Sequence, residues 1–157
     1  MFEKSNELIV RDQYEIPIYN RTYLSLKYLF LNSAIAQNTQ SKEYDLSYLK
    51  EFCTIRIIGP RRSGHTFALL KLIREYNLNG AILVQNRKIL NRTKQYFINS
   101  DETPLFLIES LDLLRGSSYQ FIAVDGASIV KAKQMIEIYN LCSCCLVGNP
   151  VFVILIE

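Results

Sequence analysis

The chain alternates two textures: short unbroken apolar runs, and longer stretches where apolar residues recur every third or fourth position. Arg21 to Gln37 is of the second kind. Leu24, Tyr28, Leu31 and Ile35 recur there at helical spacing, which predicts a helix with these side chains buried. A polar loop from Asn38 to Glu43 follows, and Asp45 is placed to cap a short helix through Phe52 with Leu46 and Leu49 facing inward. Before this helix, Pro17 sits among mixed polar and apolar residues and no period emerges.

From Thr54 the texture changes. Thr54 to Ile58 is a β-branched run that meets Gly59-Pro60, a strand ending in a turn. Gly64 to Tyr76 predicts a helix with Phe67, Leu70, Leu72 and Ile73 available for burial. Asn79-Gly80 marks a turn, Ala81 to Val84 a second strand, and Arg87 to Ile98 a helix with one polar face. Leu105 to Leu114 is apolar with two acids and leaves helix and strand open, and Gly116-Ser117-Ser118 breaks it. Phe121 to Val124 reads as a strand ending at Asp125-Gly126, and Ser128 to Tyr139 as a helix. Cys142 to Val147 is expected to be a strand ending at Gly148-Asn149-Pro150, with Val151 to Ile156 a last strand.

Strands without polar alternation, separated by helices, are the pattern of a parallel sheet covered on both faces. The expected fold is therefore a three-layer α/β domain with a mainly parallel sheet over residues 45–157, preceded by a partly helical extension over 1–44. In such sheets ligands bind beyond the carboxyl ends of the strands, so those ends are where chemistry is sought.

Composition adds boundaries rather than detail. The 157 residues carry 18 Lys and Arg against 15 Asp and Glu, a formal charge of +3, with 49% hydrophobic and 11% aromatic residues. That is enough apolar surface for one globular core and excludes a disordered chain. The small positive charge permits a nucleic-acid partner without arguing for one. No apolar run approaches the twenty or so residues of a membrane span, and the charged start, Met1 to Glu7, lacks the apolar core of a signal peptide. Cys53, Cys142, Cys144 and Cys145 fit neither a disulfide framework nor a zinc ribbon. They are expected to be small buried apolar residues in a reducing, cytoplasmic setting.

The most specific signal is at the first strand end: Gly59, Pro60, Arg61, Arg62, Ser63, Gly64, His65, Thr66. This is the spacing of a phosphate-binding loop with His in the place of Lys. Glycines let successive backbone N–H groups turn inward on phosphate oxygens, and the helix that follows presents its positive end. Thr66 is placed to bind Mg²⁺ through its hydroxyl. His65 is shorter than lysine and largely neutral at pH 7 unless phosphates raise its pKa. Arg61 and Arg62 supply part of the missing charge or are solvated loop residues. The second signal is Asp125, at the end of an expected neighbouring strand, an acid placed to hold Mg²⁺ with Thr66.

Taken together these stretches resemble the ATPase core of phage terminase large subunits and related helicases. Gly59 to Thr66 is similar to their Walker A loop. Leu114-Arg115-Gly116 and Tyr119 to Ser128 are similar to the segment that ends in their Walker B aspartate, with Asp125 in that place. Leu146-Val147-Gly148-Asn149-Pro150 resembles their coupling motif, which closes a strand. The resemblance covers residues 54 to about 150 and implies a RecA-like P-loop NTPase core that binds ATP and Mg²⁺, with His65 and Asp125 in the catalytic set. It also implies DNA as a partner, a phage or viral setting in the host cytoplasm, and the possibility of a homo-oligomer. Two positions depart from the family: His65 replaces lysine, and Gly126 stands where the family carries the glutamate that polarises water. Both departures fall on the hydrolytic step, not on the adenine or ribose.

Glu109 and Glu137 are candidates to replace that glutamate, with solvated surface acids the simpler reading. Gln13, Gln37 and Gln40 are weak candidates to read adenine, against ordinary surface amides. Arg87, Lys88, Arg92 and Lys94, with Lys131 and Lys133, offer basic faces for nucleic acid or merely solvated helix surfaces. Tyr96 and Phe97 could stack on bases or pack in the core. Two main functions follow: a slow ATPase acting on DNA, or a catalytically inactive nucleotide-binding adaptor that works through a larger viral or host protein. Residues 54 to about 150 are enough for a P-loop core but not for a nuclease or second RecA-like domain, and this length is expected to mean either a partner or lost activity. A small-molecule kinase is a third, weaker reading.

Overall fold

The computed structural model describes residues 21–38, 45–58, 64–97 and 103–157. Five strands form one all-parallel sheet: β1 (Thr54–Ile57), β2 (Gly80–Val84), β3 (Leu105–Leu107), β4 (Phe121–Asp125) and β5 (Phe152–Ile156), in the order β1-β5-β4-β2-β3. β2 and β5 are buried along their whole length and β4 up to Asp125. The outer strands are less covered, and Arg56 on β1 faces solvent. The unbroken apolar runs thus mark strands with both faces covered.

The two faces carry different helices. On one, α1 (residues 21–38), α3 (His65–Tyr76) and α4 (Arg87–Phe97) lie over Ile55, Ile82, Phe121, Phe152 and Ile154. On the other, α2 (Leu46–Tyr48) with the π-type turn Leu49–Cys53, the 3-10 segment Ile108–Leu114 and α5 (Ala132–Cys145) lie over Ala81, Leu83, Ile122, Val124 and Val153. This is the expected three-layer α/β architecture, compatible with a RecA-like core. α1 belongs to the same core: Phe30 stacks 4.4 Å from Phe152 and 4.7 Å from Tyr76, centroid to centroid. Among the described residues no helix is long and apolar enough to cross a membrane.

Several expectations are corrected. The buried stripe of α1 is Tyr23, Leu26, Phe30, Ser33 and Gln37, while Leu24, Tyr28 and Ile35 are 59, 67 and 63% exposed. Both stripes have helical spacing, so period alone could not choose between them. Ser33 and Gln37 decide the choice, because each finds a backbone partner below the helix: Ser33 Oγ donates to Phe52 O at 2.5 Å, and Gln37 engages Val151. Asp45 does cap α2, its Oδ1 accepting from Tyr48 N–H at 2.8 Å, but Tyr48 and Leu49 turn inward while Leu46 stays exposed.

Cys142 to Val147 is not a strand. α5 continues through Cys145, because Ile138, Leu141, Cys142 and Cys145 form one buried helical face and Cys144 points outward. A short 3-10 turn (Ala127–Ile129) precedes α5, so the helix expected at Ser128 begins only at Ala132. Leu105 to Leu114 resolves into β3 followed by the 3-10 segment. The buried thiols of Cys53, Cys142 and Cys145 have their pKa values pushed up by burial, that of Cys53 to about 12, so they act as small apolar groups.

Gly80 opens β2 in close contact with the paired strand β4. A Cβ at this position would overlap the Phe121 ring and the Phe121 carbonyl oxygen of the paired strand. Neither can readily retreat, since Phe121 is fully buried at the start of the central strand β4. Gly80→Ala is expected to cost on the order of 3 kcal/mol or more, read as a lowered urea midpoint with an unchanged slope. A change below about 0.5 kcal/mol would show that the β2–β4 pair can spread.

Candidate functional site

All five strands are parallel, so their carboxyl ends share one edge of the sheet. Ile57 at the end of β1 pairs with Ile156 of β5, and Ile156 pairs with Asp125 of β4. Asp125 therefore stands level with the residue two places before Gly59. Its strand is not the immediate neighbour of β1, because β5 intervenes. Along β4, Phe121 and Ala123 face the α3 side, and Asp125, two residues further, has the same parity.

α3 opens at that edge. Gly64 precedes it in the left-handed region (φ 78°), a conformation that glycine adopts without strain, and its carbonyl accepts from Ala68 N–H at 2.8 Å. In the first turn, Thr66 Oγ1 donates to Asp125 Oδ2 at 3.3 Å across 59 residues of sequence. Burial pushes the Asp125 carboxyl above the usual aspartate range, and the Thr66 hydrogen bond, the Arg92 charge, His65 and the Gly126 amide partly offset this. Burial also holds His65 below the ordinary histidine range, against the pull of Asp125. At neutral pH His65 therefore brings no lysine-like charge. Arg92 on α4 is the one described arginine whose charge is felt at Asp125.

These residues fit Mg²⁺ better than a softer metal. A hydroxyl and a carboxylate are hard oxygen donors, and Mg²⁺ is commonly held by one or two such groups with phosphates and water completing the shell. No group of three or more His, Cys, Asp or Glu that could hold a metal occurs among the described residues, which argues against a self-contained metal cage there.

Other sequence candidates are placed elsewhere. Gly59, Pro60, Arg61, Arg62 and Ser63 lie outside the described residues, as do Gln13 and Gln40. Gln37 is neither a surface amide nor an adenine reader. It is fully buried, and its side chain is committed to both backbone groups of Val151, at the amino end of β5 and the opposite edge of the sheet. Gly148-Asn149-Pro150, with its cis Asn149–Pro150 bond, precedes β5 and does not close a strand, so it cannot act as the expected coupling motif at the site edge. Glu109 and Glu137 line a groove of about 410 Å³ between the 3-10 segment and α5, on the face away from α3. They do not approach Asp125 as replacements for the missing glutamate. Arg87, Lys88, Arg92, Lys94, Lys131 and Lys133 are exposed, while the side chains of Tyr96 and Phe97 lie outside the described residues.

One residue at the site escaped the sequence reading. Gln85 follows β2 directly, and its Nε2 donates to Gly126 O at 2.6 Å. Its only signal in the sequence is a polar residue at the carboxyl end of an apolar strand. The chain matches no protein-family model and no curated protein sequence.

Proposed function

We propose that this domain binds ATP with Mg²⁺ between the loop that opens α3 and Asp125, and hydrolyses it slowly. The observation that carries this reading is the Thr66 hydroxyl beside the Asp125 carboxylate, at the edge where the glycine-bearing loop spacing leads into α3. Thr66 and Asp125 would hold the metal, which when bound supplies positive charge to the phosphates. The α3 N-terminus and the loop amides would hold phosphate oxygens, as helix N-termini do. DNA as the polymer served, and a phage or viral setting, are supported by the resemblance alone. Neutral His65 and the absent side chain at Gly126 support a second reading, an adaptor that binds nucleotide without turning it over.

A melting experiment tests the proposal. ATP with Mg²⁺ at about 100 times its Kd should stabilise the fold by about 2.7 kcal/mol, and Tm should rise by about 5–10 °C. No shift with either ATP or ADP would end the nucleotide reading. A shift without phosphate release would favour the adaptor.

A further inference from the structure

In the slow ATPase reading, position 126 supplies no side chain to direct water at the γ-phosphate. The space beside it is nevertheless occupied. A Cβ built on Gly126 would stand 3.5 Å from Gln85 Cγ and 3.6 Å from Gln85 Nε2. Gln85 is half-buried, and its amide is tethered to Gly126 O at 2.6 Å. Both ends of the Gln85 segment are fixed. On one side β2 is locked to β4, Leu83 opposite Val124. On the other, Asn86 opens α4, its Oδ1 accepting from Ile89 N–H at 3.0 Å and its carbonyl from Leu90 N–H at 2.9 Å. A glutamate at 126 itself would be strained, because Gly126 has φ 76° in the left-handed region and faces Gln85.

We propose that Gln85 positions the attacking water, taking from the adjacent strand the place that a glutamate after Asp125 would hold. The proposal rests on the nucleotide reading above. With Nε2 committed to Gly126 O, Oε1 is the acceptor left for a water proton. A carboxamide orients water but does not keep its proton at neutral pH, so it positions rather than acts as base. The water oxygen bonds to the γ-phosphorus as the bond to the β–γ bridging oxygen breaks, and ADP leaves with that electron pair. The water proton passes to a phosphate oxygen. This arrangement predicts slow turnover rather than none.

The test compares the wild type with Gln85→Ala and the length-matched Gln85→Met. Turnover is measured together with calorimetric Kd values for ATP·Mg²⁺, and for ADP·Mg²⁺ with and without aluminium fluoride, which mimics the transferring phosphoryl group. Both variants should lose on the order of 100-fold in kcat, with KM and the ATP Kd within about twofold of wild type. The tightening of ADP by aluminium fluoride should fall by a similar factor, an effect that a merely structural role would not produce. Unchanged kcat and unchanged tightening in either folded variant overturn the proposal. So does a wild type that binds ATP but neither turns it over nor tightens on ADP with aluminium fluoride, and in that case the binding reading stands. A wild type that binds no ATP overturns the nucleotide reading itself.

Discussion

Asp125→Asn should abolish the Mg²⁺-dependent part of nucleotide binding while leaving the fold at least as stable as before. Two oxygens placed to hold the metal, Thr66 Oγ1 and Asp125 Oδ2, stand 3.3 Å apart. An amide at position 125 keeps the size and can still accept from Thr66, but it offers the metal no charge. Affinity for ATP·Mg²⁺ is expected to fall on the order of 100-fold, which at a ligand level of about 100 times the wild-type Kd cuts the ligand stabilisation by about 2.3 kcal/mol, from about 2.7 to about 0.4. The shift seen with ATP in the absence of Mg²⁺ should be nearly unchanged.

The stability of the unliganded protein follows from the sign of the pKa shift. Burial raises the folded-state pKa of Asp125 above its unfolded value. The folded state thus holds that proton more tightly, and this contribution to stability is lost as pH rises from the ordinary aspartate value through the raised one. At neutral pH the ionised carboxylate works against the fold, and Asn removes that burden. Asp112→Asn is the control, since Asp112 is exposed and pairs with Arg115. A Mg²⁺-dependent melting shift that survives in Asp125→Asn would show that the metal, if bound, is held elsewhere.

Gln37→Ala should cost about 3 kcal/mol and lower Tm by about 6–12 °C. The Gln37 carboxamide pairs with a backbone segment much as a strand would. Its Nε2 donates to Val151 O at 2.7 Å and its Oε1 accepts from Val151 N–H at 2.9 Å, with a further bond from Nε2 to Ser33 Oγ at 3.0 Å. Truncation leaves the N–H and C=O of fully buried Val151 without these partners, which is costlier than the bonds are worth in water. Gln37→Met separates this from cavity formation, because it keeps most of the volume and none of the hydrogen bonds. Equal losses in both variants support the polar account. A stable Met variant would assign the effect to packing.

This polar anchor also explains where the sequence could and could not be read. β2, β4 and β5 were legible because a fully covered strand needs an unbroken apolar run, and β1 because its β-branched run meets Gly59-Pro60, both properties of the local chain. The opening of α3 at His65, after Gly64, was legible from the glycine and the amphipathic period behind it. The inward face of α1 was not, since the stripe at Leu24, Tyr28, Leu31 and Ile35 is more apolar than the one that is buried. The end of α5 was not either, because Cys142 to Val147 is too short an apolar run to tell strand from helix.

At the site the division is similar. The sequence by itself determined an α/β alternation, a phosphate-loop spacing into α3, and an acid closing the β4 run. It also carried two departures from the pattern it resembles, His65 and Gly126. Only the tertiary structure decided that β5 lies between β1 and β4, that Thr66 meets Asp125, that Gln37 is spent at the opposite edge, and that Gln85 fills the space beside Gly126. The physical reason is range: period and composition record how each residue meets the nearest layer. Which strand lies beside which, and which amide finds a buried partner 114 residues away as Gln37 finds Val151, depends on segments that no local window contains.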